Sequence, residues 1–261
     1  MKYKNILLTG GSGKLGQAII NSGHFPRLLA PSRQVLDVTK PDTIEKFFDT
    51  NDIEAVIHAA ALARMAECEK YPIKAVQINI IGTCNLVIEA YKKEEKIKKK
   101  IRFILISTDG VYPGVNGNYS EMDKTMPYNK YGWTKLGAEC AVNFLSNSCI
   151  IRTSFFDPDN IQFNDSPTDA FSSKITISYL VRAIKKMVNN NFIGTINIGS
   201  ERKSDYERYK EFKPTIQPCS LEDILKRVSF PMASDASMNC EMWKKIEKET
   251  NKKIGKIYEK T

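Results

Sequence analysis

Histidine is scarce in this 261-residue chain: there are two, His24 and His58, in different segments. Six cysteines (Cys68, Cys84, Cys140, Cys149, Cys219, Cys240) are scattered without a C-x-x-C and with no histidine at ligand spacing, which argues against a zinc site and against a disulfide framework. No apolar run approaches the roughly 18 residues of a membrane span, and residues 1–4 lead directly into an apolar strand with no charged-then-apolar leader. Neither a membrane anchor nor secretion is expected, and the cytoplasm is the default location. Repeats and low-complexity linkers are also missing. The densest basic run, 92–100, has no interleaved aromatic residues and reads as a solvated helix end, so no nucleic-acid partner is expected. The formal charge of +9 and pI near 9.1 call for an anionic partner without choosing its kind.

What is present begins at residue 5. The run Asn-Ile-Leu-Leu-Thr-Gly-Gly-Ser-Gly-Lys-Leu-Gly reads as a buried strand, a glycine turn and a helix. Glycines 10, 13 and 16 permit a tight turn, close backbone approach to a diphosphate and close packing of the new helix on the sheet. Free amides at the helix start favour the anion. Gly10, Ser12, Gly13, Lys14, Leu15 and Gly16 are therefore the candidate dinucleotide turn.

A second strand over 27–30 ends in Pro31, Ser32 and Arg33, where a dinucleotide fold meets the adenosine ribose. A hydroxyl and a guanidinium suit the extra 2′-phosphate of NADP better than the diol of NAD, so NADP(H) is preferred and NAD(H) stays open. Asp37 stands about twenty residues beyond the glycines, the distance at which a ribose acid is sought. The sequence places it past the strand with Val38, nearer the adenine. The third strand, 55–60, leaves the small Ala59, Ala60 and Ala61 at its end as room for ligand. His58, inside that strand, reads as a satisfied core residue. A long helix over 72–95 carries Val76, Ile80, Cys84, Val87 and Tyr91 as its expected core stripe, with Asn79 among them needing partners.

The fourth strand, 102–107, delivers Ser107, Thr108 and Asp109 to the carboxyl edge, where open parallel sheets bind ligands. The next helix, 128–145, carries Tyr131 and Lys135 one turn apart on one face. A lysine cation near a phenol lowers its pKa from about 10 and makes it a usable proton donor. Two further Tyr-x-x-x-Lys pairs, Tyr206/Lys210 and Tyr209/Lys213, lie in a polar segment beyond the last core strand. Only the Tyr131 pair follows a strand that ends in Ser-Thr. Strands over 149–153 and 195–199 flank a helix at 176–190. An irregular insert spans 155–174, and two short helices are expected at 221–227 and 239–251.

These elements specify an α/β fold: a Rossmann-type doubly wound parallel sheet with a small C-terminal substrate-binding lobe. The core takes residues 1–153 and 176–200, and the lobe takes 154–175 and 201–261.

Together, the glycine turn, His58-Ala59-Ala60-Ala61, the Asn79 to Leu86 segment, Ser107 to Tyr112 and Tyr128 to Lys135 resemble the extended short-chain dehydrogenase/reductases. Within that family the chain looks most like the dTDP-4-dehydrorhamnose reductase group, over about 150 residues in the family's order. The resemblance implies NADP(H)-dependent reduction of the C4 carbonyl of a nucleotide-linked 4-keto-6-deoxy sugar. Tyr131 would be the proton donor, Lys135 would hold the nicotinamide ribose and Thr108 would bond the sugar oxygen. Asn79 joins the cofactor residues, and Asp109, Gly110 and Arg152 join Thr108 and Tyr131 in the substrate set. Relatives that remove water carry glutamate after Thr-Asp, and rhamnose reductases often carry tyrosine. Gly110 departs from both and offers no base, which favours simple carbonyl reduction. A nucleotide-sugar 4-epimerase and a non-catalytic, cofactor-binding regulatory subunit stay open as alternatives, as does a homodimer. No metal is expected.

Overall fold

The computed structural model describes residues 2–258. Ile6, Leu7 and Leu8 of strand β1 (Ile6–Thr9) are all buried, because the sheet is covered on both faces and a strand inside it has no solvent side. Around it stand β2 (Leu28–Leu29), β3 (Ala55–His58), β4 (Arg102–Ile106), β5 (Ser148–Thr153) and β6 (Gly194–Ile198), in the spatial order β6-β5-β4-β3-β1-β2. Every neighbouring pair is parallel. The order reverses between β1 and β3, and the crevice beyond their carboxyl ends is the switch point where such sheets take ligands. The protein has the Rossmann-like α/β fold.

Two apolar layers cover the sheet. One packs Ile19 of helix Lys14–Asn21 and Leu180, Ile184 and Met187 of helix Ile177–Asn189 on β1, β5 and β6. The other packs Ile44 and Phe48 of helix Pro41–Thr50, Leu86 and Ala90 of the long helix Pro72–Ile97, and Ala138 and Val142 of helix Lys130–Val142 on the opposite face.

The long helix corrects two expectations. Its buried residues are Ala75, Asn79, Gly82, Thr83, Leu86, Val87, Glu89, Ala90 and Glu94; Val87 of the expected stripe is buried, whereas Val76 and Tyr91 are exposed. The inward face lies one residue back over most of its length and, apart from Leu86 and Val87, is built of small and polar side chains, which let the helix approach its neighbours closely. Larger apolar residues, Ile73, Ile81 and Ile88 among them, face outward. For the same reason this one helix is long and apolar enough, by length and composition alone, to cross a membrane, although 44% of its apolar window is buried inside the protein. Midway, residues Val76–Ile81 form a π-turn, the wide winding that frequently marks functional sites.

The lobe is assembled from short strand pairs: Phe155–Phe156 with Ile175–Thr176, Asp165–Pro167 with Gln217–Cys219, and Phe171–Ser172 with Lys203–Ser204. Phe156, Phe163, Phe212 and Tyr209 pack edge to face inside it. A helix at Asp205–Lys210, read from sequence only as polar chain, is started by a capping box between Ser204 and Glu207. The last helix, Glu241–Tyr258, does not belong with the lobe as expected: Trp243 is buried with the sheet-facing residues of β1, β5 and β6.

Candidate active site

Gly10 has φ +77°, a conformation that a side chain disfavours, and a Cβ there would lie 2.6 Å from the Ala60 nitrogen. Gly16 packs so closely on the turn that its Cβ would overlap the Gly10 carbonyl oxygen. The turn is closed by the Gly13 amide donating to the Gly10 carbonyl over 3.0 Å. Above it opens a cleft of about 310 Å³.

Of the expected cofactor residues, Gly10, Ser12, Gly13, Ser32, Arg33, Asp37, Val38, Ala59, Ala60 and Ala61 line that cleft together. The others do not. Lys14 is on the wall of a separate pocket beside Phe155 and Tyr209, Leu15 is turned into the core, and Gly16 serves the packing of its helix. Asn79 is buried behind the cleft. Its Oδ1 accepts from the Leu62 amide at 2.7 Å, and its Nδ2 donates to the Leu62 carbonyl and to Thr134 Oγ1, so it fixes the segment that follows β3. Asp37 has both oxygens engaged, Oδ2 by Arg33 Nε at 3.0 Å and Oδ1 by the Thr39 amide and hydroxyl. Three of the roughly four acceptor positions of that carboxylate are therefore taken inside the protein. Thr39 and Arg33 hold it below the ordinary carboxylate range despite its burial.

Lys74 and Ile78, one turn apart on the long helix, also line the cleft, and the sequence reading missed both. Lys74 makes no ion pair among the described residues. Its only sequence signal was a lysine on a helix already assigned to packing.

Just past the carboxyl end of β4, Thr108 caps the 3-10 turn Asp109–Val111: its Oγ1 accepts from the Gly110 amide at 3.1 Å and donates to Asp109 Oδ1 at 3.0 Å. Tyr131 faces Thr108, Asp109 and Cys68. Burial pushes its phenol well above the usual range, and hydrogen bonding to Thr108 offsets this only in part. This reverses the lowering expected from Lys135. Lys135 is 2% exposed and has no hydrogen bond or ion pair among the described residues. Burial brings it down to about 8 against the pull of Glu139. Asp109 is raised to about 6, chiefly by burial, with Lys174 and Thr108 opposing. Lys174, also missed, is held by Asp205, which accepts from Ser172 as well.

Arg152 is a correction. Its Nε and Nη2 fork onto Glu139, the latter at 2.7 Å, and its Nη1 donates to the Tyr112 hydroxyl. That hydroxyl in turn donates to Asn197 Oδ1. Every arm of the guanidinium is committed inside the protein, because a cation on a central strand needs a buried partner. Arg152 is a structural residue and does not join the substrate set. His58 is the core residue expected, between the Thr9 and Thr83 hydroxyls at 2.6 and 2.9 Å, and burial together with Lys135 drives it down to about 3.

The family model described as RmlD substrate binding domain matches residues 4–160, more than half of the chain. The chain belongs to that family. A dTDP-4-dehydrorhamnose reductase of Mycolicibacterium smegmatis is 31% identical to this family member over 145 residues, 53% of this chain and 41% of the relative. A UDP-glucose 4-epimerase of Halalkalibacterium halodurans is 30% identical over 151 residues, 51% and 42% of the two chains. The chain thus spans about half the length, or less, of the curated relatives it matches. The crystal structure of dTDP-4-dehydrorhamnose reductase from Bacillus anthracis in complex with NADP superposes with a TM-score of 0.79 over 94% of this chain and 91% of that one, at 21% identity. That likeness shows the fold.

Proposed function

We propose that the protein is an NADP(H)-preferring reductase of the C4 carbonyl of a nucleotide-linked 4-keto-6-deoxy sugar. The observation that carries this reading is a single arrangement. A glycine-turn cleft of dinucleotide type lies at the same carboxyl edge of the sheet as the turn after β4, where Thr108 meets Tyr131, and Lys135, one turn beyond Tyr131, is buried without a hydrogen bond or ion pair among the described residues.

The cleft fits a nicotinamide dinucleotide on three counts. The Gly10–Gly13 backbone is clear of side chains where a diphosphate would lie, the three alanines after β3 leave room, and the Lys135 ammonium lacks the partner that a ribose diol would be. Ser32 and Arg33 on the cleft wall, with Asp37 already engaged, support NADP over NAD. When bound, such a cofactor supplies hydride.

The chain's own residues do the rest. Thr108 Oγ1, turning its one proton from Asp109 to the sugar carbonyl, orients that carbonyl, and the Tyr131 hydroxyl gives its proton to the oxygen as negative charge develops there. Burial keeps that phenol protonated before substrate arrives. Lys135, near its own titration midpoint at neutral pH, is suited to hold ribose hydroxyls and to steady the phenolate after transfer. Gly110 brings no base to C3 or C5. The basic surface favours an anionic sugar nucleotide.

The test is loss of absorbance on mixing the protein with NADPH and dTDP- or UDP-4-keto-6-deoxyglucose. NADPH consumption that disappears in Tyr131→Phe supports the reductase. No consumption from protein that binds NADPH rejects it and transfers the weight to a 4-epimerase with tightly held NAD, or to a regulatory subunit.

A further inference from the structure

Position 110 has no side chain, and the space beside it is filled from another element. A Cβ built on Gly110 would have Thr108 Oγ1 at 3.4 Å and the hydroxyl oxygen of Tyr128 at 3.8 Å. The Tyr128 ring reaches that point by lying across Gly114, where a Cβ would come within 2.9 Å of two ring carbons. Gly114 thus keeps the path of the phenol clear, and a side chain there would crowd it, while a Cβ at position 110 would stand in ordinary contact with the hydroxyl.

The phenol ends among the reacting groups. Asp109, Tyr131, Lys174 and Asp205 are the groups near enough to bias it. Its hydroxyl has no hydrogen bond among the described residues. Three other phenols of this protein are used: that of Tyr112 by Asn197 and Arg152, that of Tyr119 by the Val115 and Asn116 amides, and that of Tyr179 by Glu247 and Trp243. A half-buried hydroxyl without a protein partner, beside a carboxyl and the proton-donating tyrosine, is placed for a ligand. Burial and the neighbouring Asp109 raise it above the ordinary phenol range, so it is protonated and serves as a donor, not a base.

We propose that Tyr128 is a substrate-binding residue: its hydroxyl donates to a sugar hydroxyl next to the reacting carbonyl, and the Asp109 carboxylate beside it accepts from that same hydroxyl. This rests on the sugar-nucleotide reading above. The carbonyl oxygen has Thr108 and Tyr131, so a third donor serves the adjacent ring position. A donor paired with an acceptor matches a hydroxyl, which both accepts and donates, and matches neither a methylene nor a second carbonyl. Tyr128 is in this way a specificity residue that selects a hydroxylated ring carbon beside the reaction centre.

The test uses the full chain saturated with NADP+, titrated calorimetrically with UDP-glucose, dTDP-glucose, and bare UDP and dTDP. Tyr128→Phe keeps the ring and its packing, and melting temperature is measured alongside. The expected result is about 3- to 10-fold weaker binding of the sugar nucleotide with the bare diphosphate unchanged. That loss should vanish for the 3-deoxy analogue, which lacks the one ring hydroxyl adjacent to C4, and persist for the 2-deoxy analogue. An equal loss on sugar nucleotide and bare diphosphate, no loss on either, or a loss undiminished in the 3-deoxy analogue overturns the inference while leaving the proposed activity standing. Wild-type protein that takes up NADP+ yet binds none of the sugar nucleotides overturns both.

Discussion

Gly132 lies against Gly110: a Cβ on the former would overlap the carbonyl oxygen of the latter. The contact joins the helix that carries Tyr131 and Lys135 to the turn that carries Thr108 and Asp109, so the distance between proton donor and carbonyl-orienting hydroxyl is set by two backbones in contact. Gly132→Ala should force them apart. The expected cost is about 1–3 kcal/mol of stability, as for other overpacked sites, with a proportionally larger fall in kcat than in cofactor affinity. Thermal melts and steady-state kinetics on the same preparation check it, and unchanged kcat would contradict the coupling.

Arg33 and Lys74 share the cleft but should answer to different parts of the cofactor. Arg33→Ala is expected to weaken NADPH by about 10-fold and leave NADH unchanged, as a charge-assisted bond to the 2′-phosphate requires. Lys74→Ala should weaken both by a similar, smaller factor, about 3-fold, because its exposed ammonium meets charge common to the two. Fluorescence titration with each nucleotide separates the cases. Equal losses on NADPH and NADH in the arginine variant would remove the basis for NADP preference.

Arg152 and Glu139 form a buried ion pair on which Tyr112 and Ser107 also rest. Breaking one side leaves the other charge uncompensated, so Arg152→Ala is expected to cost about 3–5 kcal/mol and to lower the melting temperature by roughly 10 °C. A variant with near-normal melting and lost substrate binding would restore Arg152 to the substrate set.

Two buried groups give opposing acid responses. Below pH 6.5 the unfolded chain protonates His58, whereas the folded protein resists until about 3, so stability falls as pH drops through that window. Asp109 runs the other way: folded, it takes a proton at about 6, and unfolded only near 3.8, so stability rises as pH drops between those values. Asp109→Asn removes the second effect. Urea midpoints of the variant should fall more steeply than those of wild type between pH 6 and 4, with the variant at its relative best near pH 7. Parallel profiles would place the Asp109 carboxyl in a more solvated setting.

Sequence legibility follows the local character of each signal. The strand, glycine turn and helix at residues 6–21 could be read because chain neighbours build that motif, and the positions of Thr108, Tyr131 and Lys135 on their turn and helix because each stands at a fixed offset from an element boundary. The inward face of the long helix could not, since apart from Leu86 and Val87 its buried residues are small or polar while Ile73, Val76 and Tyr91 stay outside and reverse the hydropathy pattern. Arg152 looked like a ligand residue because nothing local announces Glu139 as its partner. The part of Tyr128 depends on the glycine at 114, which a one-dimensional reading takes as a turn former.

The π-turn at Val76–Ile81 makes one stretch of the long helix tolerant of a change in length. Successive residues are set about 100° apart around a helix axis. Deleting one residue inside the wide turn would restore ordinary winding without a break, and would swing Lys74 by about that angle while Leu86 and Ala90 keep their seats on the sheet. The angular phase between cofactor side and core side is thus written in a single residue. A one-residue deletion followed by a one-residue insertion would turn the lysine out of the crevice and back again, as an adjusting screw does.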